Sequence, residues 1–240
     1  MKLHVQLLSF GALFLATVLL LSSLLGAAEN AFLNALAADA DMTEVPAIIL
    51  DAGHGGEDGG ATGTNGVLEK DLNLSLTRSL AALLRLCGYT VVETRTEDKL
   101  LYTEGTQKGH KKQSDLENRV AFAEKYPNSV FISIHMNTFP TQSCEGVQVW
   151  YSQNDERSKI LAQTLQQEVS TRLQPSNRRK IKAATSNIYI LRHATTPAIL
   201  VECGFLSTPS ECERLCSPLY QKQLALTFCA AVFEKTAVKS

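Results

Sequence analysis

Residues 47–60 read AIILDAGHGGEDGG. A short apolar run, residues 47–52, passes directly into a loop crowded with glycine. Short apolar runs bounded by turn residues read as strands, and the same type of run recurs along the chain. Residues 130–136 (VFISIHM) and 198–203 (AILVEC) are the clearest, with 90–94, 146–151 and 188–191 beside them. Between them lie stretches with leucines at helical spacing. The pattern predicts helices over 70–86, stopping at Gly88, over 114–126, closed by Pro127, and over 155–173, 210–216 and 219–235. Strands alternating with helices of this length predict an α/β fold, and near-continuous runs such as AIIL and AILV suit a sheet covered on both faces. The expectation is a single layered α/β domain, residues 47–240, with a mainly parallel central sheet flanked by helices.

An N-terminal hydrophobic segment precedes that domain. No Asp, Glu, Lys or Arg occurs from Leu3 to Ala28, Lys2 stands before the run, and Glu29, Asp39, Asp41 and Glu44 follow it. A run of ~20 apolar residues spans a bilayer, and a positive flank keeps the N-terminus inside. Residues 1–28 therefore read as a membrane anchor or a signal peptide, residues 29–46 as an Ala-rich acidic linker, and the domain as exported.

The 240 residues carry 23 basic and 24 acidic groups, a formal charge of −1. Such a balance supplies no field to hold nucleic acid. With 45% hydrophobic residues, 7 Pro and 14 Gly, disorder and collagen-like repeats are excluded as well. The six cysteines include Cys87, Cys203 and Cys229 in apolar runs, where a thiol behaves as a small hydrophobe. No pair of Cys-x-x-Cys units offers a zinc ribbon.

Four polar residues interrupt this pattern. His54 follows the first strand, Glu69 stands at the entrance of the first helix, and His135 and Glu202 break the apolar strands VFISIHM and AILVEC. Open α/β sheets bind ligands outside the carboxyl ends of their strands, and His54, His135 and Glu202 fall at or near such ends. Two histidines and one carboxylate form a catalytic zinc set with a fourth position open to water. The second carboxylate then serves as general acid and base. The spacing has no His-Glu-x-x-His signature to add weight. Each residue also has a structural reading: a satisfied core histidine for His135, and a first-turn carboxylate favoured by the helix dipole for Glu69. Glu202 resists one, because Glu is almost never buried without a partner.

The chain offers two rival sites. The glycine loop invites a phosphate-binding reading, but Glu57 and Asp58 break the Gly-x-Gly-x-x-Gly spacing and no Gly-Lys-Ser/Thr follows, so no nucleotide is expected. A cysteine hydrolase would join Cys203 to His135 or His193. Cys203, however, adjoins Glu202 on one strand and must face the other side.

The segments AIILDAGHGGEDGGATG, GVLEKDLNL, VFISIHMN and PAILVECGFLS, in this order, resemble the zinc-dependent N-acetylmuramoyl-L-alanine amidases of bacterial cell walls over residues 47–235. The resemblance implies one Zn2+ held by His54, Glu69 and His135, with Glu202 as catalytic acid and base. The bond implied joins N-acetylmuramic acid to L-alanine in peptidoglycan. A narrower resemblance is to the germination-specific amidases of spore formers. It rests on the single N-terminal membrane segment, the insert KGHKKQSDLENR (108–119) and the stretch SNRRKIKAATSNIYILRHATTPAILVECGF. It implies a role in cortex maturation, where stem peptides are removed so that muramic lactam forms. Thr208 and Cys203 depart from the family pattern without touching a proposed ligand. Asn137 and Arg192 are candidate substrate contacts, and the basic groups 108–112 and 178–182 are candidate contacts to a partner or to an anionic wall polymer. Peptidoglycan is the expected partner, with an activating lipoprotein a further candidate. A silent wall-binding module of the same fold and a zinc peptidase acting on stem peptides share the same residues.

Overall fold

The computed structural model describes residues 45–236. The expected hydrophobic segment, 1–28, and nearly all of the expected linker lie outside these residues. Among the described residues, no helix is long and apolar enough to cross a membrane.

Six strands form one sheet: β1 (Ala47–Ala52), β2 (Val91–Glu93), β3 (Ser129–Asn137), β4 (Gln148–Tyr151), β5 (Lys182–Ala183) and β6 (Ala198–Phe205), in the order β2-β1-β3-β6-β4-β5. β2, β1, β3 and β6 run parallel, β4 is antiparallel to β6, and β5 is parallel to β4. The helices are α1 (Glu69–Leu86), α2 (Lys111–Glu124), α3 (Glu156–Glu168), α4 (Tyr189–His193), α5 (Pro209–Cys216) and α6 (Pro218–Thr236). A π-helical turn, Val169–Leu173, continues α3.

The two faces of the sheet are unequal. Ile48, Leu50, Ile132, Ile134, Ile199 and Val201 point to a large core built with Leu76, Leu80 and Leu84 of α1, Leu161 and Leu165 of α3, and Leu224 and Phe228 of α6. Each such side chain contributes about 1.5–3 kcal/mol by leaving water. The i, i+4 leucines that predicted α1 are those buried here. α1 stops where Gly88 takes a φ of 88° and its N–H reaches the Arg85 carbonyl, the left-handed ending that glycine tolerates best. On the other face a thinner core joins Ile49, Phe131, Ala198 and Leu200 to Ala123 of α2 and to Ile190 and Leu191 of α4.

One expected element is different. Residues 188–191 form no strand but begin the short helix α4, and the sheet edge beyond β4 is taken by β5 instead. Ile190, Leu191 and Ala194 are buried at i, i+1 and i+4, a spacing that only a helix turns to one side. All six cysteines are free thiols; the sulfurs of Cys87 and Cys229 lie 3.8 Å apart.

Candidate active site

Strand register builds the first half of the site. His135 of β3 lies opposite Glu202 of β6, and Glu202 lies opposite Gln148 of β4. Side chains at paired positions share a face, so these three form a row. It lies on the thinly covered face, where His135 lines a small cavity together with Leu116 of α2 and Ile190 of α4. The row ends at a register shift between His135 and Asn137.

The loop after β1 brings the second half. His54 adopts a φ of 62°, a left-handed conformation that costs a residue with a Cβ about 1 kcal/mol or more. Buried groups hold it there. Arg119 donates to the carbonyls of Ala52 and His54 at 2.9 Å each, and Arg95 donates to those of Ala52 (2.8 Å) and Gly53 (3.0 Å). Arg119 is itself fixed by Asp51 at 2.5 Å and Asp115 at 2.8 Å. Ser133 and Thr94 donate their hydroxyls to Asp51. Burial opposes the Asp51 charge, but Arg119 and these hydroxyls outweigh it and hold the carboxyl below its ordinary value.

His54, Glu69 and His135 then converge. His54 Nε2 is 3.3 Å from Glu69 Oε2, and His135 Nδ1 is 3.0 Å from Glu69 Oε1. Glu69, the first residue of α1, is 4% exposed. Its carboxylate is aimed by three further donors: the backbone N–H of Ala61 (2.8 Å) and of Met136 (3.1 Å), and Asn73 Nδ2 (3.3 Å). The two imidazoles meet edge to face, with centroids 5.0 Å apart. Two glycines leave room for this convergence. A Cβ on Gly53 would stand 2.2 Å from His135 Cε1, and one on Gly60 would stand 2.5 Å from Glu69 Oε2.

Charge follows from the same geometry. Burial disfavours the charged His54 ring, yet its hydrogen bonds to Asp58 and Glu69 prevail and pull it up to about 9. Burial likewise disfavours the Glu69 carboxylate, but the two histidines hold it far below the usual range. Glu202 behaves oppositely. Burial, with Glu69 adding like charge against the histidines' pull, pushes it up to about 7, and its Oε2 is buried without a hydrogen-bond partner among the described residues.

The donor atoms of His54, Glu69 and His135 all lie within 4.8 Å of one another. Two imidazole nitrogens and one carboxylate oxygen match a catalytic zinc set, and they disfavour magnesium or calcium, which prefer oxygen alone. The cluster fits a zinc ion, and the unpartnered Glu202 oxygen fits a proton carrier beside it.

The expected residues divide in two. His54, Glu69, His135 and Glu202 gather at one strand edge. Asn137 instead turns its Oδ1 onto the Thr138 N–H at 2.7 Å, and Arg192 is exposed on α4, where its carbonyl accepts from Asn154. The lysines of 108–112 divide as well: Lys111 and Lys112 reach back to Glu57 (2.8 Å) and Asp58 (3.4 Å) of the glycine loop. Cys203 points into the large core, where burial raises its thiol well above the usual range. Sequence reasoning missed Asp58, whose carboxylate lies 2.9 Å from His54 Nδ1. Such an outer partner orients a metal-binding imidazole. Its signal was present as a carboxylate four residues after a histidine in a tight loop.

The N-acetylmuramoyl-L-alanine amidase family, Amidase_3, matches residues 48–234. The germination-specific N-acetylmuramoyl-L-alanine amidase of Bacillus subtilis (strain 168) is 37% identical over 180 residues, 74% of each chain. Among solved structures, the CwlD amidase from Clostridioides difficile, in complex with the GerS lipoprotein, matches with a TM-score of 0.77 at 34% identity, covering 81% of this chain and 100% of that one. An N-acetylmuramoyl-L-alanine amidase from Clostridium difficile 630 matches with a TM-score of 0.69 at 32% identity, covering 81% and 98%. With the family matched across nearly the whole described domain, the chain belongs to the N-acetylmuramoyl-L-alanine amidases.

Proposed function

We propose that His54, Glu69 and His135 hold one zinc ion, and that Glu202 moves the proton in hydrolysis of the amide between N-acetylmuramic acid and L-alanine. One observation carries this reading: three metal-capable side chains gather beside a buried carboxylate oxygen that nothing among the described residues satisfies. When bound, zinc supplies a Lewis acid for the scissile carbonyl and makes its water acidic enough to ionise near neutral pH. Glu202, raised to about 7, is poised near neutrality to accept the proton of the attacking water and return it to the leaving L-alanine nitrogen. Asp58 keeps the His54 ring turned toward Glu69, and Arg119 and Arg95 keep the loop that carries His54 in its strained conformation.

The likeness to a germination-specific amidase supports a role in spore cortex maturation, where removal of stem peptides leaves muramic acid free to form the lactam. The neighbour that carries the GerS lipoprotein supports an activating lipoprotein partner for this chain too. Residues 1–28 serve as export signal or membrane anchor and 29–46 as the tether, so that the domain 47–240 works outside the cytoplasm at the wall.

The test is digestion of purified peptidoglycan by the zinc-loaded protein and by Glu202→Gln, with new ends identified by mass spectrometry. Stem peptides with free L-alanine amino termini, absent with Glu202→Gln or chelator, support the reading. Cleavage inside the stem peptide instead would establish a peptidase and overturn it.

A further inference from the structure

The row His135–Glu202 continues one strand further than the proposed mechanism needs. Gln148 stands opposite Glu202, is 5% exposed, and is held at both ends of its amide: Nε2 donates to the Lys180 carbonyl at 2.8 Å and Oε1 accepts from Arg179 Nη1 at 3.3 Å. Arg179 is equally constrained. Its Nε donates to the Glu145 carbonyl at 2.7 Å, its backbone N–H donates to Asn177 Oδ1 at 2.9 Å, and its guanidinium lies 4.4 Å over the ring of Phe205, three residues after Glu202. Among the described residues, every acceptor of its guanidinium is neutral.

Arg179 also lines a cavity of about 490 Å³ together with Arg178 and Arg214. Among the described residues, Arg178 reaches only the carbonyls of Pro175 and Asn177. The carboxylates near Arg214, Glu145 and Glu211, are each 3.6 Å away, and Glu211 already accepts from the backbone N–H of Gly146 and Phe205. Positive charge therefore exceeds negative around this cavity, and a rigid guanidinium is the group suited to grip a planar carboxylate by two hydrogen bonds.

We infer that Arg179 is a specificity-determining residue that binds a free carboxylate of the stem peptide on the L-alanine side of the scissile bond. The inference rests on the amidase reading of the adjoining site. One strand spacing of ~4.8 Å separates Glu202 from Gln148, and one hydrogen bond leads from there to Arg179. Two residues of extended peptide span ~7 Å, so a peptide leaving Glu202 along the row brings a carboxylate near L-alanine to the guanidinium. Arg179 is held by backbone and amide groups before any ligand arrives, so little side-chain freedom is lost on binding.

Two synthetic muramoyl peptides test it, one with the carboxylate nearest L-alanine free and one with that group as a carboxamide. Binding is measured calorimetrically to zinc-loaded Glu202→Gln with and without Arg179→Gln, and turnover is measured on the protein with Glu202 intact. The free acid should bind about tenfold or more tightly than the amide, as a charge-assisted pair allows, and the difference in turnover should fall mainly on KM. Arg179→Gln should bring the two substrates to within about twofold of each other, and Arg179→Lys should keep part of the preference. An equal loss for both substrates would make Arg179 merely structural and overturn the inference, as would no preference with arginine in place. Poly(glycerol phosphate) that competes more strongly than the acid peptide would assign the cavity to a wall polymer, again overturning it. If the preference appears in binding but neither peptide is hydrolysed, even with the lipoprotein partner added, the amidase reading fails and the carboxylate site stands.

Discussion

Replacing Glu202 with glutamine keeps the shape of the side chain and removes its charge, so its effect on stability is set by where the carboxyl sits. In the fold the group is pushed up to about 7, chiefly by burial, from an ordinary 4.5. A carboxyl whose folded value is raised costs stability once it ionises in the unfolded chain: the cost is absent below 4.5, grows with pH, and is complete above 7. At ~1.4 kcal/mol per pH unit, the complete cost is about 3 kcal/mol. Urea unfolding of chelator-treated protein, with and without Glu202→Gln, reads this directly. The glutamine form should be the more stable by about 1 kcal/mol or less at pH 5 and by about 3 kcal/mol at pH 8, with an unchanged denaturant slope. Added zinc should narrow the gap at pH 8, because a nearby cation favours the carboxylate. A gap equal at both pH values, or a glutamine form less stable at pH 8, would refute the picture of a buried carboxylate without a partner.

Asp58→Asn removes the group that orients His54 and should weaken zinc binding about 10–100-fold, measured by competition with a chromophoric chelator. His54 is pulled up to about 9 by Asp58 and Glu69, and a ligand imidazole must be neutral, so zinc binding at pH 7.5 should release about one proton or more; calorimetry in buffers of different ionisation heat counts it, and no release would mean that the metal-free His54 ring is already neutral. Gly53→Ala places a methyl 2.2 Å from the His135 ring and should abolish tight zinc binding while circular dichroism shows a folded protein. Arg119→Ala strands the buried Asp51 and should cost about 3–5 kcal/mol in urea unfolding. A loss under about 1 kcal/mol would mean that the buried pair carries no weight.

Much of this was legible in the chain because the periodicities were clean. The leucines of α1 face one core at helical spacing, and the runs of β1, β3 and β6 are apolar on both faces because helices cover both. His135 and Glu202 stood out because the strands around them are otherwise apolar. Residues 188–191 misled for the same reason: four apolar residues suit a strand as well as a one-turn helix, and only the packing of Ile190 and Leu191 beneath the sheet decides. The strand partners of Glu202 were not legible, since register is a property of two distant segments at once. Without that register, Gln148 is an ordinary strand residue and Arg179 one member of a basic run. In the sequence Asp58 only breaks a glycine spacing, whereas in the fold its value lies in facing a histidine.

The buried charges below the site raise a different question, because a buried ion pair is often no more stabilising than a well-packed apolar pair. Asp51 and Arg119 are 0% and 1% exposed, so a hydrophobic replacement would lose little on packing alone. It would lose the loop. β1 ends at Ala52, and the carbonyls of Ala52, Gly53 and His54 turn inward, where a strand ladder cannot reach them. Arg119 serves the first and third, Arg95 the first and second, and Asn73 the second as well. Only side chains with several donors in a fixed fork can do this for consecutive carbonyls. Asp51 and Asp115 then hold that fork in place. The same chain of contacts keeps His54 left-handed and aimed at Glu69. Charge burial here is tied to the geometry of the site, and a core variant that restored stability without guanidinium donors should still lose the metal.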